Sequence, residues 1–209
     1  MFTNLIKLIQ ERIRERMVLV SISHLLERVG VKVVPYYVTR ESLCDKVDLN
    51  LEPKLKTLVC GFLSPSEVRQ LFSLPEISNL AAEADNWQKS GCLCFALKHN
   101  NEISAYMWCN LHQSNSDLSD LPLKVNEAYL FRARTMNAYR GKNLAPFLRY
   151  ELYKNLNEMG YTTFYSITEY FNAPAVSFKK KLKAQNIKVC FYLGLFHKRL
   201  LNITLKKYI

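Results

Sequence analysis

The chain has 209 residues, of which 49% are hydrophobic, and a formal charge of +11. This length and apolar content fit one well-buried domain with room for an appended segment, and exclude a disordered or fibrous chain. Six cysteines without a disulfide-type spacing in a chain this large point to a reducing cytosol.

The charge is uneven. From Tyr170 to Ile209 there is no Asp or Glu, against nine Lys and Arg. Such a segment suits an anionic partner: a phosphorylated cofactor, a membrane surface or nucleic acid. A simply solvated basic face stays open beside these.

At the N-terminus, Leu5, Ile6, Ile9, Ile13, Met17, Val20 and Leu25 recur at helical spacing. This predicts one or two helices over Thr3–Val29, stopped by Gly30. The apolar run Met17–Ile22 is too short to span a bilayer and lacks a cleavage site, so no signal peptide is expected. Packing onto the domain is the plainer use of these helices; contact with a membrane or partner is the other.

Val31–Val38 is β-branched and aromatic and reads as a short extended piece interrupted by Pro35. A polar linker is expected from Thr39 to Lys56, separating an N-terminal extension (1–54) from the main domain (55–209). Leu55–Leu63 reads as a strand. Ser64-Pro65-Ser66-Glu67 starts a helix, with Ser64 as cap and Glu67 three residues on. A second helix is expected over Glu76–Lys89, stopped by Gly91. Cys92–Lys98 and Glu102–Leu111 flank His99-Asn100-Asn101 as a hairpin. Cys92 and Cys94 sit within that apolar strand without a second pair, which reads as buried thiols and not a metal site. His112–Lys124 is a polar loop.

Strand Glu127–Met136 then leads into Tyr139-Arg140-Gly141-Lys142-Asn143-Leu144-Ala145-Pro146, a basic turn that opens helix Leu144–Met159. Backbone N–H groups and the positive dipole end at such a place suit a phosphate. Strand Thr162–Glu169, a helix from its cap Asn172 to about Ala184, and strands Ile187–Phe196 and Leu200–Tyr208 complete a mixed α/β (α+β) order. His24, His99, His112 and His197 are scattered, without catalytic partners at a recognisable spacing.

From about Leu55 onward the chain resembles the GNAT superfamily of acyl-coenzyme A-dependent N-acyltransferases. The loop motif of that family, Arg/Gln-x-x-Gly-x-Gly/Ala, stands here as Arg140 to Ala145, with Asn143 in place of the central glycine. Asn tolerates left-handed backbone angles, so the loop shape is expected to persist. The resemblance implies a mostly antiparallel central sheet flanked by helices, with a splay between the strands before and after the loop helix.

It further implies acetyl- or another acyl-coenzyme A as co-substrate and no metal. Gly141, Asn143, Leu144 and Ala145 would hold the pyrophosphate, with charge from Arg140 and Lys142. The backbone of Arg134, Thr135 and Met136 and the side chain of Asn172 would meet the pantetheine arm. Where the family often has a tyrosine acid, this chain has Lys179; the family's Gly-Phe is Lys183-Ala184. Lys179 reads either as a proton donor or phosphate contact, or as a solvent-facing charge on a basic helix.

A base that takes the amine proton could be Glu127 or Tyr129, which share a strand face, or Glu169 at the end of the next strand. A water-mediated route without any of them stays open. The implied activity is acyl transfer to a primary amine. The extension around Pro35-Tyr36-Tyr37-Val38 is loosely similar to GNAT proteins of surface-polysaccharide assembly, which would make the acceptor an amino sugar, phosphorylated or lipid-linked. A non-catalytic module that binds coenzyme A or nucleic acid is the alternative, with nucleic acid the less favoured partner. A homodimer and peripheral contact with the inner membrane face are also open.

Overall fold

The computed structural model describes residues 25–43, 55–114, 116, 118–196 and 198–208. Most of the expected N-terminal helix lies outside these; residues 25–28 are helical, and the turn after them ends at Gly30 with φ +82°. The fold is mixed α/β, with eight strands among the described residues, flanked by helices. The chain forms two compact units: one holds residues up to Thr39, Ile167–Ser177 and Gln185–Ile209; the other holds Arg40–Ser166 and Phe178–Ala184.

In the larger unit the strands run in the order β2 (Leu58–Phe62), β3 (Leu93–His99), β4 (Glu102–Asn110), β5 (Glu127–Thr135), β6 (Thr163–Glu169). The first three pairings are antiparallel and β5 pairs β6 in parallel. The β3–β4 hairpin turns on Asn100 and Asn101, both with positive φ (50° and 67°), as a two-residue turn requires. β4 is buried on both faces. Ala105, Met107 and Cys109 pack with Leu144, Leu148, Leu152 and Leu156 of α3 (Leu144–Glu158). Tyr106 and Trp108 pack on the opposite face with Val68, Leu71 and Phe72 of α1 (Pro65–Phe72) and Ala84 of α2 (Ala81–Lys89). Period-2 alternation thus feeds two apolar layers, each fully buried side chain contributing roughly 1.5–3 kcal/mol. The expected start of α1 is met: Ser64 and Glu67 form the full capping box.

In the smaller unit the order is the end of β6 (from Ile167), β1 (Val31–Glu41) up to Thr39, β7 (Gln185–Leu195), β8 (Lys198–Lys207). Here two expectations change. Pro35 does not interrupt β1, because it withholds one donor while its carbonyl still accepts from the Tyr170 N–H at 2.8 Å. The segment from Thr39 is not linker at first: Thr39 and Glu41 are strand residues, 1% and 3% exposed.

Helix α4 (Ala173–Lys181) ends three residues earlier than expected. Lys183 follows it with φ +55°, Lys183 N–H donating to Lys180 O (3.0 Å) and Ala184 N–H to Lys179 O (3.1 Å). This is a Schellman ending, in which glycine is favoured at the position Lys183 holds. Lys183→Gly is therefore expected to raise stability by about 0.5–1 kcal/mol, since left-handed angles cost a side chain more than glycine. Urea unfolding would check it; a loss of stability would show that Lys183 contacts outweigh the strain.

Candidate functional site

The β5–β6 ladder covers only Glu127–Tyr129 against Thr163–Tyr165. Beyond it β5 keeps its β4 partners, interrupted where Arg132 and Ala133 together face Met107. Arg132 takes φ +50° in this bulge, and its guanidinium lies 5.5 Å from the Trp87 ring centre and 3.2 Å from Glu83. A bulge increases local twist, so β5 turns away after its third paired residue.

At the strand's end, Met136 N–H donates to Ser104 O and its carbonyl accepts from Tyr139 N–H, both at 2.9 Å. A short 3-10 turn, Asn137–Tyr139, leads to extended Arg140 (φ −63°, ψ 154°), Gly141 at φ +74°, and Asn143 at φ 60°, ψ 27°. Asn143 caps α3 in the left-handed region, the conformation the missing glycine would have supplied, and makes no side-chain cap bond to the helix. The first N–H groups of α3 lack intrahelical partners by geometry, and Pro146 has none to offer. Arg140 is exposed, and Lys142 Nζ stands 5.0 Å from the Tyr139 ring centre. Lys181, a residue without any signal in the linear motif, donates to Asn143 Oδ1 at 2.9 Å and adds a third cation to the loop. An open helix start with these backbone angles and cations is the kind of geometry that suits an anion.

The model of the Acetyltransferase (GNAT) family matches residues 64–183, more than half of the chain. The chain belongs to the GNAT family. No curated protein sequence matches it. Among solved structures, a fungal glucosamine N-acetyltransferase region of a multi-domain β-N-acetylglucosaminidase is similar at TM-score 0.60 and 14% identity, over 83% of this chain and 22% of that one. A GNAT-family acetyltransferase from Colwellia psychrerythraea is similar at 0.55 and 14%, over 84% and 61%. A GNAT-like protein from Streptococcus suis 89/1591 is similar at 0.51 and 14%, over 83% and 67%. The chain thus spans about a fifth of the first and under two thirds of the second.

Beside the loop of this GNAT chain lies a cavity of about 450 Å³, lined by Met136, Ala138 and Tyr139 and by α1 and the hairpin. Leu71, Leu74 and Ile103 supply apolar lining, and Glu67, Glu76, Glu102 and Lys98 supply charged lining. Glu67 is tied to Lys98 at 2.6 Å. Glu76 binds Arg134 at 3.3 Å and the Asn137 N–H at 3.1 Å, and Glu102 accepts from the Tyr139 hydroxyl at 2.9 Å. Glu76 and Glu102 are far apart in sequence and lack a motif, so sequence reasoning missed them.

Sequence reasoning also missed a buried polar centre. Glu41 Oε1 accepts from Arg149 (2.7 Å) and from the Ser166 hydroxyl; Oε2 accepts from Arg149 Nε (3.0 Å) and from the Tyr153 hydroxyl. Lys179 Nζ donates to Ser166 Oγ at 2.6 Å and stands 3.8 Å from Glu41. The solvent-facing reading of Lys179 is therefore overturned: it is 6% exposed, because α4 turns it onto β6. Burial alone would raise the Glu41 pKa, but Arg149 and Lys179 outweigh it and hold the carboxyl down at about 2. Burial pulls Lys179 down to about 8; Glu41 opposes that and Arg149 adds to it.

The three proposed bases fall in different places. Glu127 is 8% exposed at the end of β5 opposite the loop, accepting from Lys124 N–H (2.9 Å) and the Tyr165 hydroxyl (3.3 Å). Its carboxylate closes a turn. Tyr129 is 4% exposed and stacks on Phe131, with ring centres 5.7 Å apart. Glu169 is exposed and, with Asn172, belongs to the smaller unit; Asn172 Oδ1 accepts from Ala175 N–H (3.2 Å) as the α4 cap. No cluster of metal-ligating residues occurs among the described residues. No helix among them is long and apolar enough to cross a membrane.

Proposed function

We propose that this GNAT chain transfers an acetyl or other acyl group from acyl-coenzyme A to a primary amine. The observation that carries the reading is the loop from Arg140 to Ala145, an open helix start with left-handed Gly141 and Asn143 and three cations around it. Acyl-coenzyme A supplies the activated thioester. The loop N–H groups, Arg140 and Lys142 would hold its phosphates, and the backbone of Arg134 and Thr135 would bind its arm, since Met136 N–H is already committed.

The cavity beside the loop supports an amine acceptor. With Glu67 paired to Lys98 and Glu76 to Arg134, Glu102 tips its charge negative, so a cationic amine is favoured and a phosphate is opposed. An amino sugar fits this reading, supported by the fungal glucosamine N-acetyltransferase region among the similar structures, with any phosphate group kept outside the cavity. Calorimetric titration with acetyl- and longer acyl-coenzyme A tests the cofactor side; absence of binding by all of them would end the proposal. Binding without turnover on any amine would instead favour a non-catalytic module.

Transfer also needs a proton for the departing sulfur. Lys179, in the same unit as the loop and with its pKa lowered to about 8, is matched to a thiol. A lysine acid must be protonated to act, so the rate should fall as pH rises through about 8. Lys179→Met is expected to slow turnover by about 10²-fold or more and remove that limb, while acyl-coenzyme A binding persists. Full activity in Lys179→Met would assign the lysine to structure alone.

A further inference from the structure

The β7–β8 ladder in the smaller unit sorts its side chains by face. Cys190 lies opposite Thr204 and Tyr192 opposite Asn202; Cys190 and Tyr192 are 4% and 7% exposed, and Asn202 accepts from the Tyr36 hydroxyl at 2.9 Å. The intervening pairs, Phe191 with Ile203 and Leu193 with Leu201, point the other way. On that face Leu201 and Ile203 remain 41% and 42% exposed, and Leu205, the extra residue where the ladder shifts between Cys190 and Val189, is 58% exposed. The hairpin turn adds Phe196 (69% exposed), and Leu200, the extra β8 residue where the ladder shifts between Leu193 and Gly194, is 58% exposed.

The turn is anchored at its base. Phe196 N–H donates to Gly30 O at 2.8 Å, and a Cβ at Gly30 would come within 2.5 Å of the Phe196 ring. Gly30 thus serves a close approach as well as a positive φ, and holds an aromatic ring that still faces outward. Lys198, Arg199, Lys206 and Lys207 are all exposed on β8, and no acidic residue occurs between Tyr170 and Ile209.

We propose that the β7–β8 hairpin docks on an anionic phospholipid bilayer, its aliphatic row and Phe196 entering the headgroup boundary while the four basic side chains engage lipid phosphates. The chemistry selects this partner among three. A second copy pairing along β8 would set lysines and arginine against one another. Single-stranded nucleic acid is held by base stacking on aromatic rings, and would leave Leu200, Leu201, Ile203 and Leu205 uncovered. An anionic bilayer satisfies both the aliphatic surface and the charge. The proposal does not depend on the acyl-transfer reading, and it moves membrane contact from the N-terminal helices to the C-terminal hairpin.

Co-sedimentation of the full chain with vesicles tests it, using phosphatidylcholine alone against phosphatidylcholine with about one third phosphatidylglycerol. Binding is expected on the anionic vesicles and at least about tenfold weaker on the neutral ones, falling as salt rises. Lys198→Glu with Arg199→Glu, and separately Phe196→Ser with Leu200→Ser, should each weaken it about tenfold or more. The thermal midpoint of each double variant serves as the folding control. Absence of binding to anionic vesicles overturns the proposal. Parent-like binding by both double variants also overturns it, by placing the contact elsewhere on the chain. Release from vesicles by a single-stranded oligonucleotide at equal charge concentration would assign the surface to nucleic acid instead.

Discussion

Replacing Glu41 by alanine is expected to destabilise the larger unit by about 3–5 kcal/mol, enough to unfold a marginal domain. The carboxylate is fully buried and holds Arg149 through both oxygens, together with the hydroxyls of Tyr153 and Ser166. Its loss leaves a guanidinium and an ammonium inside the protein without their counter-charge, the most costly way to break a buried pair. Lys179→Met should behave differently, within about 1 kcal/mol of the parent, because it removes a cation from a site where the described side chains carry two cations and one anion. Thermal or urea unfolding of both variants decides the matter. Equal stability of Glu41→Ala and the parent would show the network to be solvated in solution.

The same carboxylate sets an acid limit. The Glu41 pKa falls from 4.5 to about 2 on folding, so its stabilisation is complete above the unfolded value and is lost as pH drops from about 4.5 towards 2. Lys179 contributes in the opposite direction. Its folded pKa lies near 8 against 10.5 unfolded, so the unfolded chain keeps that proton longer and stability rises with pH between those values.

Arg140→Glu combined with Lys142→Glu is expected to weaken acyl-coenzyme A binding on the order of 10²–10³-fold without changing the fold. Each charge-assisted contact to a phosphate is worth about 1.5–3 kcal/mol, and reversal adds repulsion to its loss. Arg140 is exposed and Lys142 is half-buried against Tyr139, so neither supports the core. Calorimetry should show lost affinity with an unchanged unfolding midpoint. Retained affinity would place the pyrophosphate away from this loop.

The loop was legible in the sequence because its requirements are local. A basic, glycine-containing turn between a β-patterned run and a helix-patterned run needs only neighbours to define it, and left-handed Asn143 meets the expectation for an Asn in the place of glycine. The capping box at Ser64 and Glu67, the Asn100–Asn101 turn and the Asn172 cap were legible for the same reason: their partners lie within a few residues. Pro35 misled because proline rules describe what a strand loses, not which carbonyl a neighbouring strand still uses.

By itself, then, the sequence determined the order of elements from Val31 onward, the strand–turn–helix run around Gly141 and the acid-free basic tail, each a matter of short-range spacing or of composition. Tertiary structure alone decided the rest. Glu41 and Arg149 are 108 residues apart, and Ser166 and Lys179 join them only because β1, β6, α3 and α4 converge; written linearly, Glu41 is a linker charge and Lys179 stays open between a proton donor or phosphate contact and a surface lysine. The acidic cavity is assembled in the same way, from α1, the hairpin and the loop. A charge's burial and partners are properties of where distant segments meet, and that is information no local pattern holds.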